Sequence, residues 1–242
     1  MAAPIRIGDR PFMRDWLSFW NSPNRIYVSD LHRDVHYRDI ALAIRSFVPS
    51  PSATVLDYGC GEATAAHLVA EAAARLILSD GAPGVRDKLA ARFKDHPKIV
   101  VRSPEEVALL PPGSIDLIVL NSVAQYLDRA AFTGLLGLFR KLLAADGRLV
   151  VGDVIPPHTS AATEVIALMR LAWRNGFVGA ALAGLARTLF SDYRALRGRL
   201  GLTHYREPEI VEVLARSGFT ARRHFPNIEH NQERMTFVAI PA

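Results

Sequence analysis

A glycine-rich turn beside a carboxylate is the segment of this sequence whose residue types and spacing could do chemistry. Residues 54–64 run an apolar strand into Gly59 and Gly61, with Asp57 just before them. Glycine has no Cβ, so the backbone can turn sharply there and a ligand can approach the main chain. A helix is predicted over 63–74, and its first N–H groups would point at that ligand. The segment therefore predicts a loop that binds a nucleoside-containing ligand.

A second carboxylate follows one helix and one strand later. Residues 75–79 form another short apolar run, and Asp80 comes directly after it. An ionised carboxylate can accept hydrogen bonds from both hydroxyls of a ribose, and adjacent parallel strands end at the same edge of a sheet. A dinucleotide-binding loop has a third small residue at the position where this chain has Thr64. A nicotinamide-dependent reductase is therefore the less favoured alternative.

The turn resembles the first motif of the class I S-adenosylmethionine (SAM) dependent methyltransferases, in which an acidic residue precedes Gly-x-Gly. The family often has a third glycine where this chain has Ala63, a residue that is still small. The resemblance implies SAM as the cofactor and a transferred methyl group as the chemistry. The residues expected at the cofactor are Tyr37, Asp57, Tyr58, Gly59, Cys60, Gly61, Asp80, Gly81, Ser103, Pro104, Glu105, Asn121 and Ser122.

Two later segments extend the resemblance. The family usually has an aspartate that contacts the adenine amino group where this chain has Ser103, so that contact is expected from Ser103, Glu105 or the backbone. Residues 121–126 read Asn-Ser-Val-Ala-Gln-Tyr, which is similar to the Asn-Ser-Val-x-Gln-Tyr segment of small-molecule and peptide-synthetase methyltransferases. Amino methyltransferases that act on bases or glutamine have Asn/Asp-Pro-Pro-aromatic there. A small acceptor is therefore expected, and the apolar run at 177–186 in the inserted segment would suit a lipophilic or aromatic one.

The fold class predicted is α/β: a Rossmann-like, seven-stranded, mostly parallel sheet with helices on both faces and an antiparallel last strand. Short apolar runs predict the strands, and helices between the early ones require right-handed crossovers. The resemblance implies the strand order 3-2-1-4-5-7-6. The later strands are predicted at 98–102, 116–120, 148–154, 219–225 and 235–240.

A single domain is predicted over 1–242. It consists of an N-terminal helical cap at 1–50, a cofactor-binding core at 51–155, a helical lid inserted between strands five and six at 156–202, and a C-terminal helix and β-hairpin at 203–242. Half of the sequence is hydrophobic, which is enough for one substantial core.

The charge and the cysteine content indicate which cellular compartment and which binding partners to expect. The formal net charge is +5, but the arginines are scattered and no RNA-binding module accompanies them, so no nucleic-acid partner is expected. There is one cysteine, Cys60, which cannot form an internal disulfide and is interpreted as a packing residue. No apolar signal core is seen at the N-terminus, so a cytoplasmic location is expected.

Two regions outside the sheet pattern are expected on the substrate side. From Asp30 a helix is predicted, with Pro49 after its end, and Tyr37 or His36 is expected near the methionine carboxylate of the cofactor. Its apolar face is predicted to carry Leu31, Val35, Ile40, Ala41, Ile44 and Phe47. The inserted segment contains an apolar run at 177–186 that is too short to span a membrane. It could be a lid over the acceptor, a homodimer interface or a shallow membrane contact.

Catalysis is expected to depend on alignment of the acceptor and, for a hydroxyl acceptor, on removal of a proton. No metal site is predicted, because the histidines are dispersed along the chain. His230, in the turn after strand six, is the candidate base. The residues expected at the substrate are Tyr126, His204, Tyr205, Asn227 and His230. The other alternative is a non-catalytic SAM-binding module that grips a membrane or a protein through the insertion.

Overall fold

A seven-stranded sheet forms the centre of the computed structural model, which describes residues 11–21, 27–188 and 201–242. The strand order is β3-β2-β1-β4-β5-β7-β6. The strands are β1 (Thr54–Tyr58), β2 (Arg75–Ser79), β3 (Ile99–Arg102), β4 (Ile115–Asn121), β5 (Leu143–Val154), β6 (Phe219–His224) and β7 (Met235–Pro241). The predicted fold class and strand order are confirmed.

The direction of the strands decides which loops meet. Strands β1 to β5 pair in parallel, whereas β7 is antiparallel to both β5 and β6. Strand β6 therefore runs in the same direction as β5. As a result, the β6–β7 loop lies at the same edge of the sheet as the turns that follow β1, β2 and β4.

Helices cover both faces of the sheet. They are α1 (Pro11–Asn21), α2 (Asp30–Phe47), α3 (His67–Ala72), α4 (Pro83–Arg92), α5 (Pro104–Ala108), α6 (Arg129–Leu142), α7 (Ala161–Asn175), α8 (Val178–Thr188) and α9 (Glu207–Arg216). One apolar core contains residues of α5, α6 and α9, and the other contains residues of α2, α3 and α4. Burial on both faces explains why the central strands are almost entirely apolar.

Three local predictions are corrected by the structure. The helix after β1 does not begin at residue 63: turns occupy 63–66, and α3 starts only at His67. Strand β5 begins at Leu143, five residues before the predicted start at residue 148. Leu31, expected on the apolar face of α2, is 48% exposed, because the buried face of the helix begins instead with His32 and Val35.

Helix α2 also contacts the helices of the insertion, α7 and α8. Helix α2 starts at the cap Ser29, whose hydroxyl accepts a hydrogen bond from the His32 amide at 3.1 Å. Its residue Val35 packs in a small apolar cluster with Phe177 and Ala181 of the insertion. Part of the predicted cap (1–10 and 22–26) and part of the insertion (189–200) lie outside the described residues. Among the helices that are described, none is both long and apolar enough to cross a bilayer.

Candidate functional site

The glycine turn after β1 uses its own amide groups internally. The amides of Gly59 and Cys60 both donate to the carbonyl of Ser79, at 2.7 and 3.1 Å. The Gly61 amide donates to the carboxylate of Asp80 at 3.1 Å, and the Glu62 amide donates to the hydroxyl of Tyr37 at 2.9 Å. The four amides of the turn therefore bind the chain itself, and the orientation of the first N–H groups of the following helix towards a ligand stays a prediction.

Two carboxylates stand at this turn instead. The Asp80 carboxylate also accepts from the Ala82 amide at 2.8 Å, which fixes its orientation between β2 and α4. Burial, followed by the negative charge of Asp80, raises the pKa of Asp57 from 3.8 to about 7. Burial likewise raises the pKa of Asp80, although its two amide donors oppose the shift. The turn thus holds two carboxyl groups whose ionised forms are disfavoured by burial, and Arg86 partly offsets this effect for Asp80.

This electrostatic character tests which cofactor the residues fit. A pyrophosphate needs free backbone amides, and the four amides that the turn could offer, from Gly59 to Glu62, are already bonded within the chain. SAM carries an ammonium and a sulfonium, which two partly buried carboxylates would stabilise. The backbone also requires glycine here, since Gly59 and Gly61 have φ of 78° and 59°. The residues present therefore fit SAM better than a dinucleotide.

Helices α1 and α2 cover this edge of the sheet. A Cβ at Gly61 would lie 2.7 Å from the Tyr37 hydroxyl, and one at Gly81 would lie 2.5 Å from a methyl group of Leu17. The ring centroids of Trp16 and Tyr126 are 4.6 Å apart. The predicted closure of the N-terminal region over the turn is consistent with these contacts.

Several of the predicted cofactor residues have structural roles of their own. Ser103 is the cap of α5, and its hydroxyl accepts from the Glu106 amide at 3.2 Å. The ring of Tyr58 points into the apolar core that contains residues of α5, α6 and α9, and its centroid lies 5.2 Å from that of Phe139. Burial raises the pKa of the Cys60 thiol well above its usual value, so this cysteine is not an activated nucleophile.

A buried polar network connects the end of β4 with the β6–β7 loop. The side-chain amide of Asn121 donates to one carboxylate oxygen of Glu229 at 3.0 Å, and the Ser122 hydroxyl lies 3.2 Å from that same oxygen. Ser122 also lies 2.9 Å from the Asp153 carboxylate. Both Ser122 and Asp153 have positive φ, of 56° and 60°. Strained backbone of this kind is typical of functional sites.

An ion-pair network anchors the same loop to helix α7. Arg234 pairs with the buried carboxylate of Asp153 and, at 2.9 Å, with Glu164 of α7. Asn227 accepts from the Thr236 hydroxyl at 2.6 Å and donates to the Asn231 carbonyl at 3.0 Å. The network holds the β6–β7 loop against both the sheet and the insertion.

A cavity of about 540 Å³ lies beside this network. Helix α2, helix α7 and the β6–β7 loop form its walls, which combine the apolar side chains Ile40, Ile166, Ala167, Leu171 and Ile228 with charged ones. At one end, the Nδ1 atoms of His36 and His230 lie 3.3 and 3.7 Å from one carboxylate oxygen of Glu229. Although burial opposes it, the charges of His36 and His230 lower the pKa of Glu229 to about 2. Glu229 is therefore ionised at neutral pH.

The sequence also matches a family model described as a methyltransferase domain, over residues 31–224. The chain belongs to this family. The predicted class, a SAM-dependent methyltransferase, is thereby confirmed. No curated protein sequence matches the methyltransferase.

Solved structures share its fold at low sequence identity. The pyocyanin biosynthetic protein PhzM is 20% identical with a TM-score of 0.55; the match covers 87% of this chain and 56% of PhzM. Magnesium protoporphyrin IX methyltransferase (ChlM) from Synechocystis PCC 6803 with bound SAM is 14% identical with a TM-score of 0.53, covering 97% and 93%. The N-methyltransferase NodS from Bradyrhizobium japonicum WM9 with S-adenosyl-l-homocysteine is 18% identical with a TM-score of 0.56, covering 94% and 96%. The chain thus spans about half the length of PhzM.

The residues predicted at the substrate of this methyltransferase are distributed over three environments. His230 lines the cavity, and Asn227 belongs to the buried network behind it. Tyr126 packs against α1 through Trp16. The structure does not bring Tyr205 to the cavity, because its ring is completely buried beneath Arg129 and beside Phe132. His204 does not line the cavity either.

Two functional candidates of the methyltransferase were missed by the sequence analysis. Glu229 and Arg234 flank the predicted base His230 in the β6–β7 loop, but neither was assigned a role. The available signal was the density of polar residues between two apolar strands, at residues 227–234. The prediction of no metal site was drawn from spacing along the chain, which does not reveal that folding brings His36 beside this loop.

Proposed function

We propose that this methyltransferase transfers the methyl group of SAM to a small acceptor that binds in the cavity between α2, α7 and the β6–β7 loop. The observation that supports this most is the position of Glu229. One of its oxygens binds Asn121 and Ser122 at the end of β4, and the other faces His36 and the cavity. Glu229 therefore links the edge of the sheet expected to hold the cofactor with the volume that could hold an acceptor.

The cofactor is proposed to lie across the ends of β1 and β2. Asp80 would accept from the ribose hydroxyls, and Asp57 would stabilise the ammonium group of the methionine part. When bound, SAM supplies a methyl group that is already electrophilic. Trp16, Leu17 and Tyr37 would exclude water from it, because α1 and α2 lie over this edge.

The acceptor is proposed to be a partly apolar molecule with a hydroxyl or amine nucleophile. Apolar walls such as Ile40 and Leu171 would bind its body, and cavities of this size are usual for small ligands. Its polar end would face the imidazoles of His36 and His230. Glu229, being ionised, would orient an imidazole and stabilise the imidazolium that forms when the acceptor loses its proton.

Binding of the demethylated product, S-adenosylhomocysteine, tests the cofactor site by calorimetry. Asp80→Ala is expected to weaken binding at least ~10-fold, because a charge-assisted hydrogen bond contributes about 1.5–3 kcal/mol. Asp87→Ala is the matched control, since Asp87 is exposed on α4 close by. Equal affinities for the two variants, or no binding by the intact protein, would overturn the assignment.

Transfer of a labelled methyl group to a panel of hydroxyl and amine acceptors tests the acceptor site. His36→Gln is expected to lower kcat about 100-fold or more with a smaller change in KM, which is typical of a proton-transfer group. His67→Gln, which removes an exposed imidazole, is expected to leave the rate unchanged. Intact cofactor binding with no transfer to any acceptor would favour the non-catalytic alternative.

Shallow contact with an anionic membrane surface is proposed for helix α7. Away from the cavity it carries Trp173 and Val165, which are 78% and 38% exposed, and the exposed guanidinium groups of Arg170 and Arg174 lie on the same helix and also line the cavity. Exposed tryptophan beside arginine is typical of interfacial helices. Trp173→Ser is expected to reduce sedimentation with phosphatidylserine vesicles, and Leu109→Ser, at an exposed residue of another face, is not. A homodimer and a cytoplasmic location stay predictions.

A further inference from the structure

Three side chains from distant parts of the sequence converge at the inner end of the cavity. One ring nitrogen each from His36 and His230 and one carboxylate oxygen of Glu229 all lie within 4.8 Å of one another. The distances to the oxygen are 3.3 Å for His36 and 3.7 Å for His230. These distances are long for a charge-assisted hydrogen bond, which is usually about 2.7–2.9 Å. Short hydrogen bonds therefore do not fill the space between the three groups.

The same spacing suits coordination of one cation. Metal bonds of about 2.0–2.2 Å at tetrahedral or octahedral angles place neighbouring ligand atoms about 3.0–3.5 Å apart. The two measured separations from Glu229 reach this range with shifts of a few tenths of an ångström. Two imidazoles and one carboxylate are also the donor set that borderline divalent transition metals prefer over Mg²⁺ or Ca²⁺.

Surrounding groups orient the carboxylate as a ligand. Asn121 and Ser122 both face one oxygen of Glu229, at 3.0 and 3.2 Å, and leave the other oxygen directed at the two histidines. Hydrogen bonds of this kind to the non-coordinating oxygen are the usual outer shell of a metal-binding carboxylate. Glu229 is only 6% exposed, so its orientation is held by packing as well.

The local charge also favours a cation. Glu229, Asp153 and Glu164 contribute three carboxylates to one connected network. Arg234 pairs with Asp153 and Glu164, and Ser122 lies between Asp153 and Glu229. Burial, and to a lesser extent the charge of Glu229, raises the pKa of Asp153 although Arg234 opposes the shift. Three carboxylates and one guanidinium group therefore belong to this network, and a cation beside Glu229 would add positive charge to it.

We propose that His36, Glu229 and His230 bind one divalent transition-metal cation, of the class of Zn²⁺ or Co²⁺, at the inner end of the acceptor cavity. The open coordination positions face the cavity, where an acceptor oxygen can bind. Coordination lowers the pKa of a bound hydroxyl, so the cation would replace an imidazole as the means of ionising the acceptor. The binding itself does not depend on methyl transfer.

The experiment titrates the chelator-stripped, ligand-free protein with Zn²⁺ by calorimetry and with Co²⁺ by visible absorption. We expect about one cation per chain and Co²⁺ bands of a low-coordinate nitrogen and oxygen site, with no competition from Mg²⁺. Glu229→Gln and His230→Gln are each expected to abolish the bands. Asn121→Ala keeps all three ligands and is expected to weaken affinity about 10–100-fold.

Two controls separate this site from adventitious binding and from loss of the fold. His67→Gln removes an exposed imidazole and is expected to retain full binding. Thermal unfolding, measured on every variant, reports whether the fold is intact, and His230→Gln is the less disruptive ligand substitution because His230 is 29% exposed, whereas Glu229 is 6% exposed. No saturable Zn²⁺ binding, or binding that survives both ligand substitutions, overturns the proposal. Neither outcome affects the cofactor assignment, because cofactor binding is measured separately.

Discussion

The pH dependence of cofactor binding follows from the state of Asp57. Burial and the negative charge of Asp80 raise the pKa of Asp57 to about 7 in the ligand-free protein. The ammonium group of the cofactor would stabilise the ionised form, so the pKa of Asp57 in the complex must be lower. Below pH 7 the carboxyl group has to lose its proton before it can bind the ammonium. Affinity for S-adenosylhomocysteine is therefore expected to fall as the pH decreases.

The magnitude follows from the fraction of Asp57 that is ionised. With a pKa of about 7, half is ionised at pH 7 and about 3% at pH 5.5, so affinity should drop about 15-fold over that interval. The raised pKa also implies that the stability of the ligand-free protein falls as the pH rises from about 4 to about 7. Three units of pKa correspond to about 4 kcal/mol, and partial exposure of the side chain reduces this to about 1–2 kcal/mol.

Calorimetry between pH 5.5 and 7, with a chelator present, measures the affinity, and Asp57→Asn is the matched variant. This variant is expected to bind more weakly at pH 7, to show less than about 3-fold change with pH, and to gain about 1–2 kcal/mol of stability at pH 8 without ligand. The ammonium of the ligand titrates nearer pH 8, so it stays protonated in this range. A 15-fold dependence that persists in Asp57→Asn would refute the reasoning.

Three further predictions concern single positions. Ala63→Gly is expected to stabilise the protein by about 0.5–1 kcal/mol in urea unfolding, because Ala63 has a strained φ of 38°. Ala70→Gly, inside α3, is the control and should destabilise the protein by about 1 kcal/mol. A loss of stability at both positions would contradict the strain argument. Gly61→Ala, at φ 59°, should lower cofactor affinity and cost about 1–2 kcal/mol of stability, and an unchanged melting temperature would count against it. Arg234→Met should destabilise by about 3–5 kcal/mol, since it leaves Asp153 buried without its cation, and a loss below 1 kcal/mol would show that the pair is not needed.

The sheet and the position of the glycine turn were predictable because short apolar runs repeat at the spacing of a strand and a helix. The strand order came from the resemblance and agrees with the structure. The start of α3 at His67 was not predictable from helix-forming residues alone. Alanine is favourable in a helix, yet the hydrogen bonds of the turn to Ser79 and Asp80 hold the preceding backbone out of helical geometry.

The acceptor side was much less predictable than the cofactor side. His230 was identified from the edge of the sheet at which its loop must lie, since that argument requires only strand direction. Glu229 and its contacts with His36 and Asn121 were missed, because they join three segments through side chains rather than through a local pattern. Buried polar networks are specified by tertiary packing, so no periodicity in the sequence reports them.

The hydroxyl group of Ser122 lies between the carboxylates of Asp153 and Glu229 and has one proton to donate. Its hydroxyl lies 2.9 Å from the carboxylate of Asp153 and 3.2 Å from that of Glu229, but it can donate to only one of them at a time. A positive charge beside Glu229 in the cavity makes the Glu229 carboxylate a weaker hydrogen-bond acceptor. The Ser122 hydroxyl can then donate to Asp153 instead. The end of β4 would change its hydrogen bonding whenever the charge beside Glu229 changes.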